Sequence, residues 1–165
     1  MAGVFMKKLL SLLCTASLLT LPIFAADLSI TAASVVASSD AVTKKGTAGA
    51  TITAGQVVYL DASTNTLKLA KADALATSNA VGIALHAASA NQPLRYVVYD
   101  PDFTPGVTST EGLNLRVSSG TAGGITATVA DVTTGQFPVV FGVVLDGAHW
   151  LIDFPHALKT DSALP

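Results

Sequence analysis

The sequence predicts an all-β protein: a small barrel or sandwich built from two tandem β-meander repeats, with an extended N-terminal arm. Three observations predict it. The phrase "VGIALHAA" at Val81–Ala88 returns as "FGVVLDGA" at Phe141–Ala148, each time after a soft Ala/Thr-rich stretch. Around both copies apolar and polar residues alternate, the period of a strand whose successive side chains face opposite ways. The apolar half of the composition is rich in Ala and Val, with one Trp, three Tyr and six Phe. Such small side chains suit a turn-rich β protein whose faces are covered by neighbours.

A chain of 165 residues makes one domain or two intimately packed halves. Residues 1–26 form a hydrophobic leader. Lys7 and Lys8 precede an apolar run from Leu9 to Phe24, and small residues follow Pro22. These are the three regions of a secretory signal peptide. The run is at the short end for a membrane span, and its Ser, Thr and Pro weaken that reading. A retained hydrophobic arm, or a start drawn too far upstream, is the alternative. Cys14, the only cysteine, lies in the leader, so the body has no disulfide framework and no thiolate metal site. Without the leader, seven Lys/Arg face eleven Asp/Glu, a mildly acidic body. The longest basic cluster is Lys44-Lys45, too little for a phosphate track, so no nucleic-acid partner is expected.

Residues 27–50 are an arm or a first strand. Asp27, Leu28, Ile30, Val35 and Val36 are its candidate contact residues, either pairing as a strand or ordering on a partner. Residues 51–156 form a single β domain of two repeats, 51–100 and 108–154, and 157–165 are a C-terminal tail. Thr53-Ala54-Gly55 aligns with Thr110-Glu111-Gly112, Ala72-Asp73 with Ala130-Asp131, and Gly82 with Gly142. A repeat of this length is a duplicated unit that cannot bury its face alone.

Strands are predicted at "QVVYLD", "TLKLAKA", "AVGIALH" and "LRYVVYD", and again at "LNLRVSS", "ITATVAD", "VVFGVVLD" and "HWLIDF". "AVGIALH" and "VVFGVVLD" are near-continuous apolar runs, as for strands buried on both faces. Gly82 and Gly142 interrupt them at equivalent places, the mark of a bulge or a close backbone approach. Turns are expected at Asp61–Asn65, Ser118-Ser119-Gly120, Asp146-Gly147, and Pro101 with Pro105. "ADALATSNA" can form a short helical turn.

Catalytic chemistry is not written in the chain. His86, His149 and His156 share no metal-ligand spacing, so each reads as a surface or packing histidine. "DPDFTP" at Asp100–Pro105 lacks the further oxygen ligands of a calcium loop and reads as turn capping. "KKGTAGAT" is Gly-rich but lacks the Gly-Lys-Ser/Thr of a phosphate loop. Trp150 reads as a core residue before a ligand platform. No enzyme, cofactor, metal or small-molecule substrate is expected.

The stretches "ADLSITAASVV", "GTAGATITAGQVVYLD", "KLAKADA" and "AVGIALHAASANQPL", with the "FGVVLDG" echo, resemble the capsid decoration, or cement, proteins of tailed bacteriophages. The resemblance covers about residues 26–154. It implies a barrel-like protein on the capsid surface of the virion, binding the major capsid protein, bridging coat subunits and commonly forming a homotrimer. On that reading Asp27, Leu28, Ile30, Val35 and Val36 contact the capsid or a neighbouring protomer. The leader departs from the family pattern. It keeps open a second class: an exported β-module, periplasmic or extracellular, such as a surface-layer, adhesin or glycan-binding domain.

Overall fold

The computed structural model describes residues 26–128, 134–156 and, by backbone alone, 158–159. The leader up to residue 25, Ala130-Asp131 of the predicted alignment and most of the predicted tail lie outside those residues. The protein is nearly all β. A 3-10 turn at Ala32–Ser34 precedes β1 (Val42–Thr47), β2 (Val57–Asp61), β3 (Thr66–Leu69), α1 (Leu75–Ser78), β4 (Ala80–Ala84) and β5 (Pro93–Phe103). Then follow β6 (Asn114–Val117), β7 (Ile125–Thr126), β8 (Val139–Val144), β9 (Trp150–Asp153) and β10 (Leu158–Lys159). α1 is the short helical turn expected in "ADALATSNA".

The strands join in one curled antiparallel sheet of order β3-β2-β4-β5-β9-β8-β6-β7, with β1 added to β5 and β10 to β8. The order reads the same from both ends when β2–β5 are matched to β6–β9. The hydrogen bonds match too. Gly55 N donates to Ala84 O as Gly112 N does to Val144 O, and Leu85 N donates to Arg95 O as Leu145 N does to His149 O. Both ladders slip at the same point, Val58/Tyr59 against β4 and Leu115/Arg116 against β8. There Gly82 and Gly142 sit. A Cβ on Gly82 would collide with Val97 O, and one on Gly142 with Leu151 O. Only glycine permits so close a backbone approach at a bulge.

Two apolar cores result. The smaller holds Ala48, Ile52, Val58, Leu67, Ala84, Ala88, Leu94, Tyr96 and Val98. It lies inside a ring in which β1, β5, β4, β2 and β3 pair in turn, closed by the parallel bridge of Ala48 to Leu67. The larger core combines the outer face of that ring (Val57, Ile83, Val97) with the inner face of the second half, including Leu115, Phe141, Val144, Trp150 and Ile152. Phe141 stacks on Phe154 at 4.6 Å between ring centroids, and Trp150 tilts against Phe103 at 6.2 Å. Trp150 is fully buried, a core residue.

Three details depart from the sequence expectation. Pro101 does not end its strand: β5 runs on to Phe103, with a register shift against β9 between Asp100 and Phe103. A bulge is where a sheet tolerates a residue without an N–H. β8 is not buried on both faces like β4, since Val140, Gly142 and Val143 remain half-buried. The sheet also continues past residue 156, because Leu158 and Lys159 pair with Val140 and Val139.

Candidate interaction surface

The segment Asp27–Ala41 lies along its own body. Leu28 N donates to Ile125 O of β7 (2.8 Å), Thr31 N to Gly106 O (3.2 Å), and Val36 and Thr104 exchange both backbone bonds (3.0 Å each). Glycines form its seat. A Cβ on Gly55 would strike the Ile30 side chain, and one on Gly106 would meet Thr31 O at 2.6 Å; both carry positive φ. Leu28, Ile30 and Val35 pack, partly buried, on the larger core. Asp27 is half-buried at an open pocket of about 200 Å³ that it shares with Ile30, Thr53, Gln56, Thr121 and Gly124. Val36 is the exposed member of the five, at 57%. Thus the structure gathers Asp27, Leu28 and Ile30 at one end of the segment, places Val35 on the core, and leaves Val36 facing outward.

A clasp fixes the segment's far end. Asp100, fully buried on β5, accepts bonds from Ser38 N (2.9 Å), Ser38 Oγ (2.6 Å) and Asp102 N (3.0 Å). Three donors compensate the cost of burying the carboxylate. The capping expected of Asp100 exists in its bond to Asp102, but its main partner was not foreseeable. Ser38 is 62 positions away, and nothing local announces the pair.

The histidines are individual rather than gathered. His149 Nδ1 meets Asp146, His156 Nδ1 meets Asp153, and His86 Nε2 accepts the backbone N–H of Arg95. Asp146 holds the His149 pKa above its ordinary value, and the same contact lowers that of Asp146. Among the described residues, no three His, Cys, Asp or Glu side chains come together as a metal site. No described helix is long and apolar enough to cross a membrane.

Charge is unevenly placed. Lys68 pairs with Asp61 and Lys71 with Asp73. Hydrogen bonds from Lys68 and then Ser63 hold the Asp61 carboxyl far below the usual carboxylate range, and Lys71 lowers that of Asp73. Lys44, Lys45 and Arg95 have no carboxylate partner among the described residues, and all three are exposed on the β1–β5 ladder. Exposed apolar side chains are scattered: Val36, Val42, Leu60, Leu75, Leu113 and Leu145. What the surface offers is therefore strand edge, small apolar contacts and one basic patch. No family model, no curated protein and no solved structure matches the chain.

Proposed function

We propose that this chain is a non-enzymatic capsid decoration protein. It would bind the outside of an icosahedral shell and stabilise it by bridging subunits of the major capsid protein, as a homotrimer on the virion surface. The observation that carries the reading is the set of Gly-turn-strand phrases resembling that family, which fall on matching elements of a curled antiparallel sheet: Gly55 before β2, Gly82 within β4 and Gly142 within β8. Physically, such a protein acts by mass action on the assembled lattice, its modest contacts summing over many copies. Val36 would touch the shell or a neighbouring protomer directly, while Asp27, Leu28, Ile30 and Val35 would hold it in place. Mixing the protein with expanded, undecorated shells from its own source tests the proposal: added density at the subunit joints is expected, and shells left bare would sink it.

The leader favours a second reading, an exported β-module of surface-layer, adhesin or glycan-binding type. Sequencing the N-terminus of the native protein separates the two. A mature start near Ala26 in an exported fraction supports export, and an intact Met1 or Met6 inside virions supports the capsid reading.

A further inference from the structure

The β1 strand is built in a way that its own fold does not explain. Along Val42–Thr47 it pairs with β5 by one edge. The other meets β3 only at its C-terminal end, where Gly46 approaches Leu67 and Ala48 bridges to it. No described strand forms a ladder with that edge along Val42–Lys45. Every residue of the strand except Gly46 is exposed, so neither face is fully covered. Lys45 lies directly opposite Arg95 in the antiparallel register. Like charges at directly opposed positions destabilise a ladder, and no described carboxylate relieves this pair. Lys44 adds a third positive charge one residue away. In a chain of net charge −2, two neighbouring lysines thus stand on one strand edge, beside an arginine of the adjoining strand.

We infer that the β1 edge is a strand-addition site for an extended, carboxylate-bearing segment of a partner protein. An unpaired edge offers main-chain donors and acceptors to an incoming strand, which supplies affinity. The Lys45–Arg95 pair then supplies selection: a carboxylate of the incoming strand opposite Lys45 offsets the like-charge pair that Lys45 makes with Arg95. The occupant is thus specified by complementarity of charge. This inference stands apart from the capsid reading, because it assigns the chemistry of the segment and not the assembly it belongs to.

The experiment uses the full chain, labelled for NMR, and two synthetic nine-residue peptides that alternate Thr or Val with Glu in one and with Lys in the other. The Glu peptide should bind and protect Val42–Lys45 amides from exchange, and the Lys peptide should not. A double variant, Lys45→Glu with Arg95→Glu, alters two exposed side chains and should keep the native melting transition. It should lower affinity for the Glu peptide by about tenfold or more and raise affinity for the Lys peptide. If the Glu peptide binds without protecting β1 amides, or a heparin oligosaccharide binds as tightly, the patch is an anion site and the strand-addition inference is wrong. If neither peptide binds, the lysines act only to keep edges apart, and the inference is equally wrong.

Discussion

The two halves of the sheet carry the same plan and bury opposite amounts of it. Matching strands place Val58, Leu67, Ala84, Tyr96 and Val98 of the first half against Leu115, Ile125, Val144, Trp150 and Ile152 of the second. Each set lines the inner curve of its half. The outer faces differ. Val57, Ile83 and Val97 are all fully buried, whereas their counterparts are exposed Asn114 and half-buried Val143 and Leu151. The first half is therefore a closed ring whose back plugs the second half, and the second half turns its own back to the outside. A repeated unit can thus bury its face in its copy without symmetry, one copy serving as the lid of the other.

The largest expected effect tests which core holds the molecule together. Trp150 fills the shared core, while its counterpart Tyr96 lines the smaller ring at the edge of the solvent. Trp150→Ala should cost about 4 kcal/mol, and Tyr96→Ala about half as much. Urea unfolding measures both. Equal losses would mean that the halves are not lid and vessel but two independent cores.

Next come the glycines. Gly82→Ala and Gly142→Ala each drive a methyl into a backbone carbonyl that paired strands hold fixed, and each should cost about 2–3 kcal/mol. Gly82→Ala should be the worse, because the Tyr96 ring also crowds that site. A variant that unfolds at the native urea midpoint would show that the two bulges have slack and that the match between halves is looser than their hydrogen bonds indicate.

These glycines show what was legible in the sequence. Gly82 and Gly142 stand out because they interrupt apolar runs, and interruption of a strand is a local signal. The all-β class, most strands and the α1 turn follow from the same local periodicity. Which face is covered is not local. "AVGIALH" and "VVFGVVLD" look alike, yet β4 is buried along nearly its whole length and β8 leaves Val140, Gly142 and Val143 half-buried. A clue existed in the replacement of Val57 by Asn114 at matching positions, since a polar residue on a central strand marks a face left to water. Pro101 misled for a related reason: a bulge excuses it, and a bulge depends on β9, some fifty residues on. Of the candidate contact residues, the apolar pattern picked out Leu28, Ile30 and Val35 but could not show that this chain's own core receives them.

The clasp is a third point of difference. Asp100 occupies the place in β5 that Phe154 fills after β9, so one half has a buried carboxylate where the other stacks an aromatic ring. Ser38→Ala removes one donor and leaves two, and Asp100→Ala removes the acceptor of all three. We expect losses of about 1 kcal/mol for the first and about 2 kcal/mol for the second. Hydrogen exchange should show the Asp100→Ala loss concentrated in the Val36–Thr104 bridge. An even loss across the sheet would mean that the clasp supports the β5–β9 join instead of the N-terminal segment.

The smallest effect distinguishes the two tight connections. Between β8 and β9, Asp146 caps the backbone N–H of Ala148 and His149 and also holds the His149 ring; between β4 and β5, His86 has no carboxylate partner. Because the folded state raises the His149 pKa, the bond adds stability below the ordinary value of 6.5 and loses it as pH rises through the higher folded value. Both partners are substantially exposed, so solvent screening keeps the contribution small, and the readout is the titration itself. The His149 ring signal should titrate above 6.5, and Asp146→Asn should bring it back towards that value while keeping an oxygen to cap the turn. If the midpoint does not move in Asp146→Asn, the two connections are electrostatically alike. Their difference then lies in length alone.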